Sequence, residues 1–127
     1  MKPKVFVTRK IPREGIDILE KTCKVKVNPY DRVLTKDELM KEIKKIDGLL
    51  CLLTDTIDKE VLDEASDLKI ISNYAVGYNN IDVEEATKRK IMVTNTPGVL
   101  TDTTADLTWA LLMGIARRIV ELSLIHI

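Results

Sequence analysis

Short apolar runs rich in β-branched residues alternate along this chain with segments whose apolar residues recur at helical spacing. Lys4-Val5-Phe6-Val7-Thr8 is the first such run. Pro12 then stands where a first helical turn tolerates proline, and Ile16, Ile18 and Leu19 form an apolar stripe. Cys23 to Val27 alternates apolar and polar positions, which predicts an edge strand exposed on one side, and Asn28-Pro29-Tyr30-Asp31 supplies turn chemistry to end it. Thr35-Lys36-Asp37-Glu38 has capping-box spacing, followed by Leu39, Ile43 and Ile46 on one helix face. Gly48-Leu49-Leu50-Cys51-Leu52-Leu53 is continuously apolar, as expected of a strand covered on both faces. Asp58 to Ala65 reads as a short helix and Leu68 to Tyr74 as the next buried strand. Asp82-Val83-Glu84-Glu85 repeats the capping logic for a helix to about Lys90. Ile91 to Thr94 is a fifth strand, and a long helix opens near Thr101.

Strands alternating with helices across short connections predict an α/β fold with a doubly wound parallel sheet. Ligands in such sheets bind beyond the carboxyl ends of the strands. The segments expected there are Leu53 to Thr56, Tyr74 to Asn80 and Asn95 to Leu100. The composition shifts after Pro97-Gly98, because Leu107 to Ala116 is apolar nearly all round.

Charge narrows the functional classes. The 127 residues carry 20 Lys+Arg against 20 Asp+Glu, which argues against nucleic-acid binding, where a basic face is the rule. No run approaches the roughly 18 unbroken apolar residues of a membrane span. Met1-Lys2-Pro3-Lys4 enters a strand without a signal-peptide core, and two cysteines are no disulfide framework, so the cytoplasm is expected. Charged residues make up 31% of the chain and Gln is absent, a hyperthermophile tendency.

The most informative stretch is Ala75-Val76-Gly77-Tyr78-Asn79-Asn80-Ile81-Asp82. Gly77 follows a predicted strand and precedes a capped helix, where it is free to take a positive φ. Consecutive amides around such a residue form a concave donor site suited to a carboxylate. The same residues suit an ordinary strand-to-helix turn, and the bend taken alone favours that plainer reading. Cys23 and Cys51, on predicted strands, read as small buried hydrophobes, with no metal-binding pattern around them. Trp109, Leu112, Met113 and Ala116 fit ordinary core packing.

Context comes from resemblance. Ser72 to Asp82, then Val93-Thr94-Asn95-Thr96-Pro97-Gly98, then Thr104-Ala105-Asp106 resemble the D-isomer-specific 2-hydroxyacid dehydrogenases, most of all their archaeal glyoxylate reductases. The likeness covers about residues 1 to 121. It implies a flavodoxin-like substrate domain over 1–100 that lacks the family's C-terminal return helix. Residues 101–121 would then be the first helix of a nucleotide-binding Rossmann domain, through which the full-length enzyme would form a homodimer. It also implies a small 2-oxo or 2-hydroxy acid as substrate and NAD or NADP as cofactor in the full-length enzyme. By position, Val76 and Gly77 match the loop that holds the substrate carboxylate, Leu53 a residue lining the substrate pocket, and Thr104 a position near the nicotinamide. Asn95 to Gly98 matches the hinge, where Pro97 restricts the residue before it.

Other family features have no counterpart. The glycines are Gly15, Gly48, Gly77, Gly98 and Gly114, so no G-x-G-x-x-G can be written. None of Arg9, Arg13, Arg32, Arg89, Arg117 and Arg118 matches the family's catalytic Arg, and His126 matches nothing. No catalytic residue is therefore expected in this chain, which should be inactive alone and bind no cofactor by itself. Leu122-Ser123-Leu124-Ile125-His126-Ile127 departs from the family and resembles the translation of a transposon-end adaptor, so 122–127 is expected to be a non-native tail. The competing reading is a free-standing flavodoxin-like binding or signalling module. Thr8-Arg9-Lys10 offers no acidic phosphorylation site after the first strand, and Arg9 to Glu14 no phosphate-cradling loop for a flavin. Both observations favour the enzyme fragment.

Overall fold

The computed structural model describes residues 2–125. His126 and Ile127, the end of the segment expected to be non-native, lie outside the described residues. The chain divides into two units, Met1–Thr96 and Pro97–Ile127.

In the first unit the elements run β1 (Lys4–Val7), α1 (Arg13–Thr22), β2 (Lys24–Val27), α2 (Lys36–Ile43), β3 (Gly48–Cys51), α3 (Lys59–Asp63), β4 (Ile70–Asn73), α4 (Val83–Lys88) and β5 (Met92–Thr94). All neighbouring strands are parallel, in the order β2-β1-β3-β4-β5. That is the flavodoxin-like order, with the chain reversing direction across the sheet at β1/β3.

Three side chains cap helix starts, Thr35 and Asp82 as their spacing predicts and Asp58 in addition. Thr35 Oγ1 accepts from the Glu38 amide at 3.3 Å while Glu38 Oε2 accepts from the Thr35 amide at 2.8 Å, a complete capping box. Asp58 accepts from the Val61 amide and Asp82 from the Glu85 amide, at 3.1 and 3.0 Å. Each cap satisfies a donor that the helix itself cannot.

Register places Phe6, Leu49, Ile71 and Val93 side by side on one sheet face. They pack with Leu39 and Ile43 of α2, Val61 and Leu62 of α3 and Ala86 of α4 into the main core. Val7 and Ile16 are buried outside that cluster, so α1 covers the opposite face, to which Val7 points by strand alternation. Cover on that face thins towards β5. Leu50 and Ser72 are half-buried, and Met92 and Thr94 are exposed. The expectation of a fully buried fourth strand is corrected accordingly, since β4 is buried only at Ile71 and Asn73.

Two further boundaries differ from the sequence reading. Strand β3 stops at Cys51 because the Asp55 carboxylate takes the Leu52 amide at 2.8 Å and turns the chain, leaving Leu53 outside the strand. Cys23 is not on β2. It caps α1, its amide donating to the Leu19 carbonyl at 2.8 Å.

The second unit holds α5 (Thr101–Ala116) and α6 (Ile119–Ile125), separated at Arg117-Arg118, where Arg118 adopts φ 53°. The single long helix is thus interrupted. No residue of α5 is buried, and Leu107, Trp109, Leu111, Leu112, Met113 and Ile115 are all exposed.

Candidate functional site at the carboxyl ends of the central strands

The loops that follow β1, β3 and β4 are joined by a buried polar network. Thr8 Oγ1, at the end of β1, donates to Asp55 Oδ2, which also receives the Leu52 amide. Asn80 Nδ2 donates to the carbonyls of Leu52 and Asp55 at 3.2 and 2.9 Å. Asn73, the last residue of β4 and 1% exposed, donates to Asn80 Oδ1 at 2.9 Å and to the Gly77 carbonyl at 2.8 Å. Cys51 Sγ completes the set by donating to Asn73 Oδ1 at 3.6 Å. Among the described residues no buried side-chain nitrogen or oxygen lacks a partner, so the network stiffens this edge without the cost of an orphaned group.

The bend from Tyr74 to Asn79 rises from this base towards solvent. Val76 and Gly77 are exposed, and Leu53 is 66% exposed in the adjoining loop after β3. The structure therefore brings Leu53, Val76 and Gly77 to the ends of two neighbouring strands. Among the described residues, nothing accepts from the amides of Val76, Gly77 or Tyr78, whereas the Tyr74 amide before them is held by the Cys51 carbonyl at 2.8 Å. Thr104 lies on α5 in the second unit, where it is exposed and its amide donates to the Leu100 carbonyl.

One expectation about the bend is overturned. Gly77 does not adopt a positive φ; the glycine in the left-handed region is Gly98, at 78°. The chain turns at Gly77 because side chains tie down its carbonyls, not because a left-handed residue reverses it.

Burial, reinforced by the Asp55 charge, pushes the Cys51 thiol up to about 12, so it stays protonated and serves as a hydrogen-bond donor. Among the described residues no group of His, Cys, Asp and Glu is placed to hold a metal, and no helix is long and apolar enough to cross a membrane. A dinucleotide fits poorly. Strand β5 leads to α5 through Asn95-Thr96-Pro97-Gly98-Val99-Leu100, which offers one glycine where the pyrophosphate turn needs three.

Sequence reasoning missed the supporting residues. Asn73, Asn80 and Asn95 were visible as asparagines flanking the bend, but Asp55 and Thr8 gave no signal, because their pairing spans 47 positions.

A flavodoxin-like parallel sheet with unengaged main-chain donors beyond β4 defines an α/β domain whose candidate site lies at the carboxyl ends of its strands. The family model for the D-isomer specific 2-hydroxyacid dehydrogenase catalytic domain matches residues 5–121, and the chain belongs to that family of oxidoreductases. A glyoxylate reductase from Thermococcus litoralis is 55% identical over 121 residues, which make up 95% of this chain and 37% of that protein. A Thermus thermophilus protein of known crystal structure superposes with a TM-score of 0.83 at 45% identity, over 93% of this chain and 38% of its own. An NADPH-dependent glyoxylate/hydroxypyruvate reductase from Sinorhizobium meliloti, solved with NADP and malonate, matches with a TM-score of 0.72 at 26% identity, over 90% of this chain and 34% of its own. The chain thus spans little more than a third of the length of these relatives.

Proposed function

We propose that this chain is the N-terminal part of an NAD(P)-dependent oxidoreductase that reduces glyoxylate or a related 2-oxo acid to the 2-hydroxy acid. The exposed bend with consecutive unengaged amides carries the reading. In it, Val76 and Gly77 hold the substrate carboxylate, and Leu53, in the adjoining loop after β3, lines the apolar side of the pocket; Thr104, which belongs to the second unit, takes a position near the nicotinamide in the full-length enzyme. Residues 1–100 form the substrate domain and 101–121 the first helix of the nucleotide-binding domain, with 122–127 foreign to both.

The chain's own contribution is binding and orientation. Amide donors neutralise the carboxylate and hold it at one end of the substrate, so the neighbouring carbonyl carbon faces outwards, towards whatever supplies the hydride. The chain has no dinucleotide cradle of its own and is inactive alone. Its two free thiols, Cys23 and Cys51, suit a reducing cytoplasm. The apolar surface of α5 supports a homodimer contact in the full-length enzyme.

Hydrogen bonds to a charged group contribute about 1.5–3 kcal/mol each, so two amides supply roughly 3–6 kcal/mol before ordering costs. A Kd of about 1 mM corresponds to about 4 kcal/mol, and affinity of that order is expected. Titrating the ¹⁵N-labelled chain with sodium glycolate tests it. Saturable shifts of the Val76 and Gly77 amides are expected, and a featureless response at tens of millimolar, far above the ~1 mM expectation, overturns the proposal.

A further inference from the structure

Three consecutive carbonyls in the bend are held from the protein side. The Thr96 amide donates to the Ala75 carbonyl at 2.9 Å, Asn95 Nδ2 to the Val76 carbonyl at 2.7 Å, and Asn73 Nδ2 to the Gly77 carbonyl at 2.8 Å. A trans peptide is planar, so each carbonyl points away from the amide of the following residue. The described residues contain no cis peptide. Holding these three carbonyls therefore sets the aim of the amides of Val76, Gly77 and Tyr78, which lie inside the run from Ala75 to Asn80 whose amides find no acceptor among the described residues.

We propose that Asn73 and Asn95 are positioning residues that aim the Gly77 and Tyr78 amides, so that Tyr78 N–H joins Val76 and Gly77 as a third donor to the substrate carboxylate. This rests on the reading of the bend as a carboxylate grip. It extends that reading to a third donor and to the side chains that preorganise it. Preorganised donors bind more tightly because their ordering cost is met on folding rather than on binding.

The two clamps are built differently. Asn73 is buried and fully engaged. Both its amide hydrogens are used, on the Gly77 carbonyl and Asn80 Oδ1, and its oxygen receives the Cys51 thiol. Through Asn80 it is anchored to the loop after β3. Asn95 is half-buried and follows β5. Asn95 and Thr96 lie in the stretch read above as a hinge, so the segment leading out of the first unit also aims its amides.

The test is a glycolate titration of the ¹⁵N-labelled 127-residue chain, with sodium chloride at equal ionic strength as control. Asn73→Ala, Asn95→Ala and Ser72→Ala are compared with the parent. Ser72 is the control because it lies on the other sheet face, bonded to Thr94 Oγ1 at 3.0 Å. In the parent, the amides of Val76, Gly77 and Tyr78 shift along one saturation curve. Each asparagine variant weakens Kd at least about fivefold, and Ser72→Ala stays within about twofold, the spread expected when an uninvolved side chain is removed. The order parameters of the Gly77 and Tyr78 N–H vectors fall in the asparagine variants even without glycolate. If Asn73→Ala does not fold, the half-buried Asn95→Ala carries the test. Unchanged Kd in the folded asparagine variants overturns the proposal, as does a Tyr78 amide that ignores glycolate. A parent that binds no glycolate refutes the carboxylate reading instead, and the order parameters then decide the clamp separately.

Discussion

Replacing Thr8 by Val and Asp55 by Ala, singly and together, measures the bond that joins the loops beyond β1 and β3. Asp55 is 4% exposed, and its Oδ2 accepts from Thr8 Oγ1 and from the Leu52 amide. A hydrogen bond to a buried charge contributes about 1.5–3 kcal/mol, and stranding the Leu52 amide costs about 1–3 kcal/mol more. Asp55→Ala is therefore expected to cost about 2.5–6 kcal/mol, a large share of a stability of roughly 5–15 kcal/mol. Thr8→Val, close in shape, removes only the shared bond and costs about 1.5–3 kcal/mol. The double variant should be scarcely worse than Asp55→Ala, giving a coupling of about 1.5–3 kcal/mol. Amide hydrogen exchange at Leu49 and Ile71, in the core of β3 and β4, reports opening of the first unit independently of α5. Costs that add to within about 0.5 kcal/mol would mean that Thr8 and Asp55 do not interact, and the network could not be what stiffens the site.

Other consequences are as direct. Gly77→Ala is tolerated, because φ is not positive there and the added Cβ meets only Asn79 Oδ1, at 3.3 Å; a stability change under about 1 kcal/mol is expected in urea unfolding, and a larger loss contradicts the backbone described. Glu38 is lowered from 4.5 to about 2, chiefly by its hydrogen bonds from Arg32 and then the Thr35 amide, and Glu85 likewise by Lys88 and Arg89. Folded pKa values below the unfolded ones mean stabilisation that is present above about pH 4.5 and lost as pH falls towards 2. Arg32→Ala should flatten that part of an acid titration followed by circular dichroism, and an unchanged profile refutes the assignment. The apolar surface of α5 predicts self-association of the chain; Trp109→Glu with Leu112→Glu should shift light scattering towards monomer, and a monodisperse parent removes the basis for it.

Much of the fold was legible because the signals are local. The capping residues Thr35, Asp58 and Asp82 sit one position before α2, α3 and α4, since a cap is a contact between residues three apart. The alternation in Lys24-Val25-Lys26-Val27 marked β2 as exposed on one side, and the structure agrees. Leu52 and Leu53 misled, because apolarity extends a predicted strand while a carboxylate three residues on ends it. At the bend, the sequence pointed to Val76 and Gly77 through their place between a strand and a capped helix. The left-handed glycine expected there was wrong because the carbonyl ties that make the turn come from residues as far away as Asn95, 19 positions along.

Periodicity, caps and turn residues by themselves determined the order and type of the elements, the parallel α/β class and the strand ends where a ligand belongs. These depend on interactions within a few residues, which composition and spacing record. Only the tertiary structure decided which donors at those ends remain unengaged and which way they point. A peptide's direction is set by whatever holds its carbonyl, and here the holders, Asn73 at the end of β4 and Asn95 and Thr96 just after β5, reach the bend from the ends of two different strands.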